Sequence, residues 1–194
     1  MNRFTKEYWD KKYNENKTGW DIGEISTPMK NYIDQIKDKN QHILIPGAGN
    51  GYEIEYLFNN GFKNISVLDI SKQPLDNLKK RLPKEHHVNC IQSNFFDVDL
   101  KFDLILEQTF FCALNPKDRR NYVDKMYNLL NTKGKLVGLL FDFDLTNEGP
   151  PFGGSIIEYI QLFYAKFTIK VLEKCYNSIK PRHGRELFFI FEKN

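Results

Sequence analysis

The sequence is short of cysteine, of long apolar runs and of charge of one sign, and each shortage argues against something. Its three cysteines, Cys90, Cys112 and Cys175, stand far apart and form no C-x-x-C pair. An odd, scattered set speaks against a disulfide framework and points to small, buried, reduced thiols in a cytoplasmic protein. The adjacent His86 and His87 belong to no ligand-spacing pattern, so no metal is expected. No apolar run approaches the ~20 residues that a membrane span needs. The polar opening Met1-Asn2-Arg3-Phe4-Thr5-Lys6-Glu7 lacks a signal-peptide core. The net charge is only +3, with lysines scattered through helical stretches, which leaves nucleic acid without a basic footprint. No Ser/His/Asp or paired-acid constellation stands out. What is there, 194 residues with 41% hydrophobic and 27% charged, suits a single well-buried domain.

The chain is organised around His42-Ile43-Leu44-Ile45-Pro46-Gly47-Ala48-Gly49-Asn50-Gly51-Tyr52-Glu53. Ile43, Leu44 and Ile45 make a short apolar run suited to a central parallel strand. Gly47, Gly49 and Gly51 alternate, and glycine tolerates positive φ and puts no Cβ between backbone and ligand. A helix is expected over 52–59, with Gly61 as its stop. The G-x-G-x-G spacing departs from the G-x-G-x-x-G that seats a pyrophosphate on a helix N-terminus. Two readings stand: a cradle for a nucleotide-like cofactor, or a tight strand-to-helix turn with no ligand.

Before this stretch, Tyr8, Trp9 and Tyr13 sit at helical spacing, followed by the turn-rich Thr18-Gly19-Trp20-Asp21-Ile22-Gly23 and a helix expected over 28–37. Trp9, Tyr13 and Trp20 read either as packing anchors or as part of a site. After it the chain alternates. Strands are expected over 43–45, 65–69, 88–92, 102–107 and 135–143, with helices over 52–59, 73–81, 117–130 and 155–164. Two closing strands, 167–176 and 186–191, flank the turn Pro181-Arg182-His183-Gly184. This predicts an α/β fold: a doubly wound, mostly parallel sheet with helices on both faces and an antiparallel C-terminal edge strand.

Ligands of such sheets bind outside the carboxyl ends of the strands. Asp69 ends the second strand about 20 residues after the glycine turn, where a carboxylate can accept both ribose hydroxyls; the alternative is a helix-capping or turn aspartate. After the third strand comes Ser93-Asn94-Phe95-Phe96-Asp97. There the Asn94 amide suits a base edge, and Phe95 or Phe96 either flanks the base or fills the core, the core being the reading for Phe96. The fourth strand runs into Glu107-Gln108-Thr109-Phe110-Phe111-Cys112-Ala113-Leu114-Asn115-Pro116. This lacks the Asn/Asp/Ser-Pro-Pro-aromatic pattern of enzymes that methylate nucleic-acid amino groups.

Together these residues resemble a class I S-adenosylmethionine-dependent methyltransferase with a Rossmann-like fold. The resemblance narrows to the thiopurine S-methyltransferase family and its thiol/halide methyltransferase branch. It is carried by Tyr8-Trp9-Asp10-Lys11-Lys12-Tyr13, Gly19-Trp20-Asp21-Ile22-Gly23 and Ile45-Pro46-Gly47-Ala48-Gly49-Asn50-Gly51-Tyr52. Thr109-Phe110-Phe111-Cys112-Ala113-Leu114-Asn115-Pro116 with Arg119 and Tyr122, and Gly149-Pro150-Pro151-Phe152, are its more specific parts. The resemblance implies that Trp9, Tyr13 and Trp20 close over S-adenosyl-L-methionine and that Gly47, with Gly49 in the same turn, meets its methionine part. It implies that Asp69 holds the ribose, Asn94 and Phe95 the adenine, and that Gln108 lies near the sulfonium. Tyr13 stands where the plant branch often has Trp. Gln108 stands where that branch tends to have Tyr and the thiopurine branch Arg.

One domain over 1–194 is expected, with 1–40 as a helical cap and 41–194 as the α/β core. Its partner would be a small-molecule acceptor, and it would be a monomer or weak dimer. The expected reaction is methyl transfer to a soft nucleophile: a thiol, a thiopurine, hydrogen sulfide, halide or thiocyanate. A thiol of pKa ~8.5 is already a few per cent ionised near neutrality, so proximity and dehydration do most of the work. Trp20, Phe110, Phe111 and Phe152 are expected to line an apolar pocket. Arg182 and Arg185 either bind an anionic acceptor there or sit in a solvated turn. The competing readings are an O- or N-methyltransferase with Glu107 as its base, a nicotinamide-dependent dehydrogenase, and a non-catalytic cofactor-binding member.

Overall fold

Ile43, Leu44 and Ile45 are almost entirely shielded from solvent, the condition of a parallel strand covered on both faces. They lie in β1 (His42–Pro46) of a computed structural model that describes residues 4–194. The polar opening Met1-Asn2-Arg3, part of the expected cap and of the stretch read for a signal peptide, lies outside the described residues. Two compact units divide the chain, Met1–Val98 and Asp99–Asn194.

The first unit holds α1 (Lys6–Asn14), α2 (Thr27–Asp34), β1, α3 (Tyr52–Asn59), β2 (Asn64–Asp69), α4 (Lys72–Arg81) and β3 (Asn89–Gln92). β1 and β2 pair in parallel with Ile43 opposite Ile65 and Ile45 opposite Val67, and β2 pairs in parallel with β3. α3 spans the residues expected of it, because the turn glycines release the chain and Asn60-Gly61 stops it, with Gly61 at φ 80°. α1 is polar around most of its circumference and buries Tyr13; it packs on α4, and the Ser71 hydroxyl donates to Asp10 Oδ1 at 2.5 Å. α2 ends three residues short of the expected Lys37.

The second unit holds β4 (Phe102–Gln108), α5 (Arg119–Leu129), β5 (Leu130–Phe141), α6 (Ile156–Phe163), β6 (Phe167–Lys174) and β7 (Glu186–Lys193). β4 and β5 pair in parallel, with a register break between Phe102 and Leu104. That break explains why β5 starts five residues earlier than expected. The chain enters the ladder directly from α5, loops out through Lys133 at φ 63°, and rejoins at Lys135. Gly134 is required there, since a Cβ would stand 2.8 Å from the Asn131 carbonyl oxygen. β7 runs antiparallel to both β5 and β6. The strands follow the order β3-β2-β1 in the first unit and β4-β5-β7-β6 in the second. The expected antiparallel C-terminal edge is thus present, with the last strand inserted one place inside it and β6 outermost. Much of the phenylalanine goes into this unit's core. Phe163 and Phe191 have ring centroids 4.7 Å apart, Phe189 and Phe191 4.5 Å, and Phe111 and Tyr122 4.9 Å.

Candidate active site

In the first unit, all three turn glycines occupy the left-handed region: Gly47 at φ 58°, Gly49 at 54° and Gly51 at 73°. The Gly47 amide donates to the Leu68 carbonyl at 2.7 Å, tying the turn to β2. The Gly49 amide donates to Asp69 Oδ2 at 3.3 Å, and Asp69 Oδ1 accepts the Ser71 amide at 2.8 Å. Asp69 therefore does serve as a turn aspartate, yet a carboxylate with about four lone-pair directions keeps capacity for further donors. It is buried. Burial pushes its carboxyl up to about 6, with the backbone amides pulling the other way.

The aromatic trio gathers over the same turn. Trp20 meets Trp9 at 5.5 Å and Tyr13 at 5.8 Å, both edge to face. A Cβ on Gly49 would lie 3.4 Å from the Tyr13 hydroxyl and 3.7 Å from Trp20 Nε1. Burial, and then the charge of Asp69, hold the Tyr13 phenol well above its ordinary value, so it is a neutral hydroxyl. A polar network that sequence reasoning missed fixes the turn from outside. Asp21 Oδ2 accepts Asn50 Nδ2 and, at 3.4 Å, the Tyr52 hydroxyl. Asn50 Oδ1 accepts Asn77 Nδ2 at 3.0 Å, and its carbonyl accepts the Arg81 guanidinium. The adjacency of Trp20 and Asp21 and of Gly49 and Asn50 was the available signal. α3 opens with Glu53 and Glu55 in its first turn, which disfavours a phosphate there.

Asn94 and Phe95 sit after β3 with two changes from expectation. The Asn94 side-chain oxygen accepts the Phe96 amide at 3.1 Å, capping the short 3-10 turn Phe95–Asp97. The carbonyl expected to receive an exocyclic amine thus already serves the backbone. Phe95 is the buried member of the pair and Phe96 the half-buried one, the reverse of the expected order.

In the second unit, β4 ends in a tightly held turn. Glu107 has no exposed surface. Its Oε1 accepts the Phe110 and Phe111 amides at 2.9 and 3.0 Å, and its Oε2 accepts the Tyr122 hydroxyl at 2.6 Å. Burial pushes the carboxyl up to about 7 in spite of these bonds. The competing reading that made Glu107 a base for an oxygen or nitrogen acceptor meets a carboxylate with both oxygens committed to shaping the turn. Gln108 is half-buried. Thr109 takes φ 58° and donates its hydroxyl to the Gln108 carbonyl at 2.7 Å.

The expected apolar shelf divides. Phe110 is half-buried. Phe111 packs into the core against Tyr122, Tyr159 and Phe163, with the Arg119 guanidinium 4.8 Å from its ring centre, so it is a core residue. Arg119 is itself buried and donates to the Gly153 carbonyl at 2.6 Å and to Glu158. Phe152 is buried too; its amide donates to the Cys112 carbonyl at 2.8 Å, and its ring fills the space a Cβ on Gly149 would need.

Arg182 is buried rather than solvated, so the solvated-turn reading fails for it. Its Nη1 lies 3.6 Å from Oε1 of Glu186, which is 2% exposed. Arg185 is exposed and lies over the Phe143 ring at 4.4 Å. A pocket at the carboxyl ends of β4 and β5 is lined by Thr109, Cys112, Leu139, Leu140, Phe141 and Glu186. Burial, and then the charge of Glu107, raise the Cys112 thiol well above its ordinary value, with Arg182 opposing and Glu186 adding to the rise; it stays protonated. Glu186 escaped sequence reasoning, because only the pairing of Phe141 with Glu186 across β5 and β7 brings it here. Among the described residues no group of three or more His, Cys, Asp or Glu is placed to hold a metal ion. No helix among them is long and apolar enough to cross a membrane.

Bare, left-handed backbone beside a buried carboxylate with spare acceptor capacity fits an adenosyl cofactor. The comparisons with known proteins agree. Probable thiol methyltransferase 2 of Arabidopsis thaliana is 31% identical over 187 residues, spanning 92% of this chain and 81% of the relative. Thiopurine S-methyltransferase of Bos taurus is 26% identical over 195 residues, 88% of this chain and 80% of the relative. Among solved structures, the Burkholderia thailandensis 1,6-didemethyltoxoflavin-N1-methyltransferase, with bound 1,6-didemethyltoxoflavin and S-adenosylhomocysteine, superposes with a TM-score of 0.78. It covers 97% of this chain and 87% of that one at 17% identity, a likeness of fold. With the thiopurine S-methyltransferase family model matching residues 4–193, the chain belongs to that family of S-adenosylmethionine-dependent methyltransferases.

Proposed function

We propose that this enzyme transfers the methyl group of S-adenosylmethionine to a small soft nucleophile, a thiol, thiopurine, hydrogen sulfide, halide or thiocyanate. The observation that carries the choice is the engagement of Glu107 by two amides and the Tyr122 hydroxyl. That carboxylate was the base an oxygen or nitrogen acceptor would need, and it is spent on the fold. Soft nucleophiles need little activation, so binding, alignment and exclusion of water suffice. The apolar walls from Leu139, Leu140 and Phe141 suit that task.

S-adenosylmethionine supplies an electrophilic methyl group on a sulfonium. In this reading Asp69 accepts the ribose hydroxyls, and Gly47 and Gly49 leave room for the methionine part. Asn94, through its remaining amide donors, and Phe95 hold the adenine. Trp9, Tyr13 and Trp20 exclude water from above the glycine turn, where aromatic faces also favour a sulfonium. Gln108 contacts the cofactor near its sulfonium, and Phe110 borders the acceptor. The chain acts as one domain with residues 1–40 as its cap, as a monomer or weak dimer and without nucleic acid. The free cysteines Cys90, Cys112 and Cys175 support a cytoplasmic setting.

The test is a methyl-transfer screen with thiols, sulfide, iodide and thiocyanate against amines and catechols. Turnover confined to the first group is expected. Turnover confined to amines or catechols overturns the acceptor class, and saturable cofactor binding with no turnover indicates a non-catalytic member.

A further inference from the structure

Ser71 stands at the N-cap of α4, where a serine hydroxyl ordinarily accepts an amide of the helix it opens. Here its side chain accepts none. The hydroxyl instead donates to Asp10 Oδ1 of α1 at 2.5 Å. The Ser71 amide meanwhile donates to Asp69 Oδ1 at 2.8 Å. One residue with no exposed surface therefore joins two carboxylates, one on α1 and one at the end of β2.

α1 depends on such a bond. At nine residues it is too short to persist in water on its own propensity. Tyr13 is the one residue of the helix that is buried. Yet α1 carries two of the three aromatics gathered at the glycine turn, Trp9 and Tyr13, both edge to face with Trp20. Asp10 lies between them in sequence. Burial works to raise the Asp10 carboxyl, but Lys6 and the Ser71 hydroxyl hold it below its ordinary value, and Lys6 Nζ pairs with Asp10 Oδ2 at 2.5 Å. Asp10 is thus ionised, and a hydroxyl donating to a carboxylate makes one of the stronger kinds of hydrogen bond. Neither Ser71 nor Asp10 belongs to the set read as contacting the cofactor.

We propose, on the reading above that the glycine turn and Asp69 hold S-adenosylmethionine, that Ser71 and Asp10 are positioning residues that couple the seating of α1 to cofactor binding. The Ser71 main chain steadies the carboxylate that accepts the ribose hydroxyls. The Ser71 hydroxyl steadies the helix that brings Trp9 and Tyr13 to the same turn. A cofactor held by both joins the two, and by linkage a seated α1 raises cofactor affinity by the factor by which cofactor favours a seated α1. The effect falls mainly on release, because the aromatic cover has to lift before the cofactor leaves.

Ser71→Ala removes the hydroxyl and leaves the amide on Asp69, so it isolates the coupling. Calorimetry and stopped-flow with S-adenosylhomocysteine should show affinity falling about tenfold, mostly as faster release. Asp10→Ala should do the same, and the double variant should lose no more than either alone, because both changes remove one bond. Asp10→Asn keeps an acceptor for the hydroxyl and should stay within about threefold of wild type. Hydrogen exchange adds a readout that a merely structural bond would not move. S-adenosylhomocysteine should protect the amides of α1 in wild-type protein and much less in Ser71→Ala. Unchanged affinity in Ser71→Ala, an additive loss of about 100-fold in the double variant, or undiminished protection of α1 overturns the proposal. If Ser71→Ala does not fold, Asp10→Ala against Asp10→Asn carries both readouts with the same outcomes. Unchanged affinity in Asp69→Ala overturns the reading of the site itself, whereas a weakened Asp69→Ala beside a normal Ser71→Ala overturns the coupling alone.

Discussion

The Tyr122 hydroxyl donates to Glu107 Oε2 at 2.6 Å, and neither side chain reaches solvent. The pair fastens α5 to the end of β4, while the other carboxylate oxygen holds the turn through Phe110 and Phe111. Tyr122→Phe leaves a buried charged oxygen short of one donor, a loss of about 1–3 kcal/mol. Urea unfolding should show a lower midpoint with an unchanged slope. Glu107→Gln retains one acceptor for the amides and places its NH2 toward the Tyr122 oxygen. It should fold and keep transfer to thiols within about tenfold. A far larger loss in a folded variant restores Glu107 as a base.

Two buried carboxyls set a pH dependence. Glu107 is raised from 4.5 to about 7 and Asp69 from 3.8 to about 6, burial being the first cause of each. Between the unfolded and folded values the native state binds more protons than the unfolded chain, so stability falls as pH rises. Each group should cost the protein on the order of a few kcal/mol across that window, from about pH 4 to about pH 7. The lowered carboxyls of Asp34 and Asp76 act in the opposite direction, but they are paired at the surface and screened by salt. Urea midpoints in moderate salt should therefore be higher at pH 5 than at pH 8, and Glu107→Gln should flatten the slope. A midpoint that rises steadily over this range contradicts the assignment.

The division between what could and could not be read in the sequence follows one physical line. Ile43-Leu44-Ile45, the glycine turn and Asp69 were legible because each is a local statement: apolar run, backbone freedom, strand-end acid. Most helix and strand positions followed for the same reason. Glu107 was visible as an acid but not as a fastener, since its partners are amides three and four residues on, in a turn that exists only once Thr109 adopts φ 58°. The β5 start was hidden by a bulge that no periodicity announces. Arg182 was legible as a candidate but not as a buried partner of Glu186, and Glu186 was out of reach because its place comes from strand pairing across more than 40 intervening residues, from Phe141 to Glu186. Asp21 lay beside a residue already singled out, and only its bond to Asn50 reveals its use.

Asp69 should govern cofactor affinity in its ionised form. Calorimetry with S-adenosylhomocysteine should show Asp69→Ala weakening binding by at least about 100-fold, as expected when a charged acceptor of hydroxyl donors is lost. In wild-type protein the affinity should fall below about pH 6, where protonation removes the acceptor charge. Asp69→Asn should bind weakly with no such break. Unchanged affinity in Asp69→Ala rules out the ribose role.

Gly49 and Gly51 share a left-handed backbone but should fail differently when given a methyl group. At Gly51 the Cβ would meet Ile54 Cδ1 and Leu78 Cδ2, both at 3.1 Å, inside the packing between α3 and α4. At Gly49 it would meet the Tyr13 hydroxyl at 3.4 Å, on the face covered by the aromatic trio. Both alanine variants bear the backbone cost of positive φ, about 1–2 kcal/mol. Gly51→Ala adds core crowding, so it should melt lowest yet keep a normal thermal shift with S-adenosylhomocysteine. Gly49→Ala should melt higher and lose most of that shift, because its methyl occupies the surface where the cofactor is proposed to lie. Equal ligand shifts in the two variants would remove Gly49 from the binding surface and leave the turn a purely structural device.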